Sequence, residues 1–171
     1  SLYRYSKYFY HMSKQTFSIW LLPIDSDHNY LSKIIQSLSE EHDAPFFQPH
    51  CTLFSSFSDL YSAKKIIDQL DLDFFDVEVR RISQSSDIWK TVFIELKNSS
   101  QLQNLNCLLK GLKDEDYLFS PHISLIYKLL DVNKRKKIIQ SLSIKKSFSF
   151  GKISIVNTAG HVESWETVYS T

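Results

Sequence analysis

Two short stretches of the chain could do acid–base chemistry together. One reads Pro49-His50-Cys51-Thr52-Leu53 and the other Pro121-His122-Ile123-Ser124-Leu125. Each reads as a β-strand, and strand side chains alternate between faces. His50 and Thr52 then share one face, as do His122 and Ser124. Cys51, Leu53, Ile123 and Leu125 point to the opposite, buried side. Imidazole titrates near neutral pH, so one of the pair can take a proton from water while the other gives one to a leaving oxygen. The hydroxyls can donate hydrogen bonds to non-bridging oxygens of a phosphate. That set suits hydrolysis of a phosphodiester without a metal. A cyclic phosphodiester suits a small cleft best, because its leaving group stays tethered.

The frame around the motifs repeats as well. Asp59 answers Asp131, Lys64-Lys65-Ile66-Ile67 answers Lys136-Lys137-Ile138-Ile139, and Leu70 answers Leu142. Arg81-Ile82-Ser83 answers Lys152-Ile153-Ser154, and Trp89-Lys90-Thr91-Val92-Phe93 answers Trp165-Glu166-Thr167-Val168-Tyr169. Each half reads as histidine strand, helix, strand, strand, so the chain looks like a duplicated unit. Two facing halves would bring their histidines to one cleft.

The remaining elements follow from periodicity. Thr16–Pro23 is an apolar run ended by proline and reads as a central strand. Ser26 or Asp27 can cap the next helix, whose face is Leu31, Ile34, Ile35 and Leu38. Phe46–Phe54 and Phe119–Tyr127 are the histidine strands. Asp59 caps a helix with Leu60, Ala63, Ile67 and Leu70 on its face, and Asp131 caps one with Ile138, Ile139 and Leu142. Leu102, Leu105, Leu109 and Leu112 form a further helix. Strands are expected at Phe75–Ser83, Trp89–Leu96, Phe148–Val156 and Ser164–Tyr169. The fold class is α+β: two antiparallel-rich sheets around a central cleft, related by a pseudo-two-fold, with helices packed outside.

Composition narrows the function. With 171 residues and 43% apolar content, the chain can bury one core, in one domain of two small lobes. Only three glycines are present, which argues against a Gly-rich phosphate loop. A net charge of +1 does not suit a binder of long nucleic acid, but leaves small nucleotides and RNA ends open. The two cysteines, Cys51 and Cys107, have no metal-type spacing and read as buried small hydrophobes in a reducing compartment, cytoplasmic or nuclear. No apolar run is long enough to span a membrane. His50 and Cys51 face opposite sides, so they cannot share an ion, and no HExxH or G-x-S-x-G motif occurs. His11, His28, His42 and His161 lack a matching context and read as surface or loop residues. Lys134-Arg135-Lys136-Lys137 reads as the solvated side of a helix, with a weak RNA contact as the alternative. Residues 1–11 lack a period and end at His11-Met12, so they read as an expression leader, with the native start at Met12 and a single bilobed domain over 12–171. A monomer is expected.

The paired motifs resemble those of the two-histidine phosphoesterase superfamily, and more closely its cyclic phosphodiesterase branch in plants and yeast. Phe47-Gln48-Pro49-His50-Cys51-Thr52-Leu53 and Pro121-His122-Ile123-Ser124-Leu125-Ile126-Tyr127 are similar to that branch's two motifs. Arg81-Ile82-Ser83 and Glu163-Ser164-Trp165-Glu166-Thr167-Val168 are similar to its flanking strings. The resemblance implies a bilobed fold with a central groove. It implies metal-independent hydrolysis, without cofactor, of nucleoside 2′,3′-cyclic phosphates to 2′-phosphates or of ADP-ribose 1″,2″-cyclic phosphate to the 1″-phosphate. It implies His50 and His122 as the catalytic pair, Thr52 and Ser124 as phosphate-binding residues, and Tyr127 at the site edge, although strand parity puts Tyr127 on the buried face. Trp89 falls in the stretch that faces a base, while its repeat partner Trp165 suggests a structural role. Cleavage of 2′,5′-oligoadenylate, trimming of RNA 3′ ends, and non-catalytic sensing of a nucleotide or RNA end are the alternative functions.

Overall fold

Both histidine motifs open strands of one antiparallel sheet. The computed structural model describes residues 15–113 and 118–171. The chain runs β1 (Phe17–Pro23), α1 (Asp25–His42), β2 (Cys51–Phe57), α2 (Leu60–Asp68), β3 (Phe75–Gln84), β4 (Val92–Leu96), α3 (Ser100–Leu109), β5 (His122–Ile126), α4 (Val132–Ser141), β6 (Ser147–Asn157) and β7 (Glu166–Ser170). The proposed leader and the start at Met12 lie outside the described residues.

The α+β class read from the sequence is the one observed. The strand order is β1-β2-β5-β4-β3-β6-β7, and β1 also pairs with β6. Strands β1 to β6 therefore close into a ring, with β7 on the outer edge of β6. The two sheets of the sequence reading are two arcs of this one sheet, β2-β1-β6-β7 and β5-β4-β3. One seam joins Phe75–Glu78 of β3 to Ser147–Phe150 of β6. The other joins β2 to β5 through the pair Cys51↔Ile123. The likeness between the Trp89 and Trp165 stretches does not extend to their strands' places: β4 lies between β5 and β3, whereas β7 is an edge.

Alternation produces the core. Ile19, Leu21, Cys51, Leu53, Ile94, Ile123, Leu125, Ile153 and Ile155 are buried on the helix side of the sheet. The helices cover them with the expected stripes: Leu31, Ile35 and Leu38 from α1, Ala63 and Ile67 from α2, Leu102, Leu105 and Leu109 from α3, and Ile138 from α4. Asp59 and Asp131 cap α2 and α4 by accepting from Ser62 N and Lys134 N, both at 3.0 Å.

Several local expectations are corrected. Helix α1 starts at Asp25 without a side-chain cap. Asp27 is instead buried, pairs with Lys145 and accepts from Ser149 N at 2.7 Å, which ties α1 to β6. Strand β2 starts at Cys51 rather than Phe46, because Pro45 and Pro49 offer no backbone donor. Ile88–Lys90 is a 3₁₀ turn, and β4 starts only at Val92. Cys107 is exposed, since the buried face of α3 falls on Leu102, Leu105, Asn106 and Leu109. Arg135 is half-buried and donates to Gln84 Oε1 and Leu130 O, while Lys134, Lys136 and Lys137 are exposed. His42 has a buried Nε2 without a hydrogen-bond partner, and His28 is half-buried against Gln48. Among the described residues, no helix is long and apolar enough to cross a membrane.

Candidate active site

The seam between β2 and β5 places the two motifs side by side. An antiparallel register carried one residue either side of Cys51↔Ile123 sets His50 across from Ser124 and Thr52 across from His122. Each imidazole thus meets the hydroxyl position of the other half, and both rings reach the same cavity of about 330 Å³.

The two histidines are held in the same way. His50 Nδ1 lies 2.6 Å from Gln48 O, and His122 Nδ1 lies 2.7 Å from Ser120 O. A carbonyl can only accept, so each Nδ1 carries the hydrogen and Nε2 is left as the working atom. In both cases the accepting carbonyl sits two residues back, across Pro49 or Pro121, whose ring limits the backbone between carbonyl and imidazole. The Pro-His pair of the motif is thereby a device for fixing a tautomer.

Their electrostatics differ. His50 is only 5% exposed, with the indole of Trp20 stacked on its face at 3.6 Å and 9°. Burial pushes its pKa down to about 3, opposed by the Gln48 carbonyl and helped by the charge of His122. His122 is less enclosed; burial lowers its pKa too, with Lys90 lowering it further and Asp87 raising it. Tyr127 sets its hydroxyl 3.3 Å from His50 Nε2, where the neutral ring can only accept. Burial holds that phenol above its ordinary pKa, so it is an O–H donor. Parity had put Tyr127 on the buried face. It reaches the cavity because β5 ends at Ile126 and the chain turns. Lys128 fixes that turn: its ammonium donates to His42 O at 2.6 Å and Asp43 O at 3.1 Å, closing the C-terminus of α1, and its own carbonyl accepts from Thr91 Oγ1 at 2.8 Å.

His50, His122, Thr52, Tyr127 and Trp89 all line the cavity. Ser124 lies beside it, buried, and its hydroxyl donates to Trp89 O at 2.5 Å. As folded, that hydroxyl holds the Trp89 turn rather than presenting a donor to the cavity. Asp87 Oδ1 braces the same turn by accepting from Trp89 N at 3.0 Å. Trp89 is 47% exposed and stacks at 5.6 Å and 28° on Trp165, its partner in the sequence repeat. Among the described residues, no group of three or more His, Cys, Asp or Glu is placed to hold a metal ion.

A family model described as "Cyclic phosphodiesterase-like protein" matches residues 15–171. The chain belongs to this family. It is thereby one of the two-histidine phosphoesterases, hydrolases of phosphodiester bonds. It is 24% identical to the cyclic phosphodiesterase of Arabidopsis thaliana, over 92% of this chain and 94% of that protein. Its fold matches that of Escherichia coli LigT in the apo form, with a TM-score of 0.60 and 13% identity over 92% of this chain and 96% of LigT. A crystal structure described as a phosphoesterase matches with a TM-score of 0.61 and 13% identity, over 92% of this chain and 97% of that one.

Sequence reasoning missed much of this family member's cavity wall. All three tryptophans line it, Trp20 and Trp165 among them, together with Thr16, Ser18, Ser55, Ser56 and Thr158. A signal for part of it was present: Thr16, Ser18 and Trp20 alternate with Phe17, Ile19 and Leu21, a period of two inside an otherwise apolar run.

Proposed function

We propose that the protein hydrolyses nucleoside cyclic phosphodiesters by two-imidazole acid–base catalysis. The observation that carries this reading is the matched pair of Nδ1–H···O=C bonds, which leaves the Nε2 of both histidines for proton transfer in one cavity. His50, neutral at neutral pH, takes a proton from water. The water oxygen bonds to phosphorus as the bond to one ring oxygen breaks. His122 enters the step as the imidazolium, whose charged form the Ser120 carbonyl and Asp87 favour against burial and Lys90, and gives its Nε2 proton to that oxygen, which becomes a free hydroxyl. The product is a phosphate monoester. Thr52 donates to a non-bridging oxygen, and Tyr127 turns its hydroxyl from His50 to the phosphate, which frees Nε2 for the water. Both proton movements come from imidazoles, so the reaction runs without a metal. Among the described residues, the cavity lining holds no charged side chain besides histidine, which favours a small cyclic nucleotide over an oligonucleotide.

The test is turnover of a nucleoside 2′,3′-cyclic phosphate in EDTA, followed by phosphorus NMR, which also identifies the bond that breaks. His50→Gln and His122→Gln should each lower kcat by ~10²-fold or more with folding retained. Full activity in either variant would refute the assignment.

A further inference from the structure

Phe47 and Gln48 precede the first histidine of the motif, and the acid–base reading uses only the Gln48 carbonyl. Both lie outside regular structure, between α1 and β2. Phe47 is nonetheless buried, at 5% exposure. Its ring stacks on that of Tyr127, with centroids 3.9 Å apart at 21°, and meets the His50 ring edge-on at 6.1 Å and 74°. One phenyl ring therefore touches both the resident base and the phenol that points at its Nε2.

Tyr127 needs such a contact. It lies one residue past the end of β5, where strand alternation no longer sets the direction of a side chain. The indoles of Trp89 and Trp165 meet its ring edge-on, at 5.2 and 5.7 Å, and Phe47 covers its face. Phe47 is itself tethered through its neighbour. The Gln48 amide nitrogen lies 3.1 Å from His28 Nε2, and His28 Nδ1 lies 3.4 Å from Ser32 Oγ. An amide nitrogen only donates, so His28 Nε2 accepts and its Nδ1 carries the hydrogen. Gln48 thus binds α1 through its side chain and His50 Nδ1 through its carbonyl, at 2.6 Å.

We propose that Phe47 is a positioning residue for the reaction: its ring, tethered through Gln48 to His28, holds the Tyr127 phenol beside His50 Nε2. The inference rests on the acid–base reading proposed above. There the Tyr127 O–H turns from Nε2 to the phosphate, and rotation about the C–O bond alone moves that proton. The ring has to stay in place while the partner changes. A flat aromatic face suits this task, because stacking fixes the ring and leaves its hydroxyl free. Catalytic groups are held to within about 0.5 Å of the productive geometry by packing of this kind. A misplacement of about 1 Å can cost on the order of 10²-fold in rate.

Kinetics and NMR test this role on the full chain, with Phe47→Leu, Tyr127→Phe, the double variant, His28→Ala and His28→Gln. With a nucleoside 2′,3′-cyclic phosphate, Phe47→Leu should lower kcat about tenfold with KM within about threefold. In the Tyr127→Phe background the same substitution should cost less than about twofold, because the phenol it positions is already gone. His28→Ala should also lower kcat, and His28→Gln, whose amide oxygen can accept from Gln48, should recover most of the loss. If Phe47→Leu does not fold, Phe47→Met takes its place. Nitrogen-15 spectra of the imidazoles give a readout that needs no turnover. The His50 Nε2 signal should move toward that of an unbonded nitrogen in Tyr127→Phe, and in the same direction in Phe47→Leu. Parental kcat in Phe47→Leu or His28→Ala, an equal loss in both Tyr127 backgrounds, or an unmoved Nε2 signal in Phe47→Leu would overturn the proposal. The expected spectra without turnover of any cyclic phosphate would instead sink the catalytic reading and leave the hold of Phe47 on Tyr127 standing.

Discussion

Acid should destabilise this protein through His50. In the folded chain burial holds its imidazole neutral down to about pH 3, against an ordinary value of 6.5 once unfolded. Between those limits the unfolded state binds the extra proton, so stability is lost as pH falls, by up to ~1.4 kcal/mol per pH unit for this one group. Integrated from pH 7.5 to pH 4.5, the loss is about 2.7 kcal/mol, a large share of the roughly 5–15 kcal/mol that holds a typical domain folded. The perturbation is His50→Gln, which removes the titration while filling similar space. Urea unfolding, followed by tryptophan fluorescence in phosphate-free buffer, would be measured for both proteins at both pH values. The variant sits lower at pH 7.5 because the Trp20 stack is disturbed, but that offset cancels in the difference between the two pH losses. The parent should lose about 2–3 kcal/mol more than the variant. Equal losses would show that His50 charges freely in the fold, and the reasoning that makes it the resident base would fall with it.

Tyr127→Phe removes the donor beside His50 Nε2. It should lower kcat by ~10²-fold at nearly constant urea midpoint, and an unchanged kcat would remove Tyr127 from the mechanism. Ser124→Ala releases Trp89 O, so steady-state kinetics should show KM rising about tenfold with kcat within about threefold. A loss confined to kcat would mean that its hydroxyl acts on the phosphate after all.

The repeated Pro-His-x-Thr/Ser-Leu strings carried most of what could be read early. They placed His50, Thr52 and His122 at one site, because two-residue alternation and the repeat of the motif are written in adjacent residues. The helix stripes and the Asp59 and Asp131 caps were legible for the same reason. Tyr127 was not legible from parity, because its position depends on where β5 ends and on Lys128 reaching the end of α1. Ser124 follows parity, yet its hydroxyl is claimed by a carbonyl 35 residues away.

What the amino-acid order determined by itself was the chemical inventory: two imidazoles, each with a hydroxyl beside it, on strands long enough to hide their other face. What only the tertiary structure decided was how that inventory is shared out. The Cys51↔Ile123 seam sets the imidazoles together, burial of one ring under Trp20 separates their proton affinities, and the bulges at Leu53 and Ser56 turn an edge of β2 into cavity wall. Those outcomes depend on which strands pair and in what register, and pairing between distant segments leaves no period in the sequence to read.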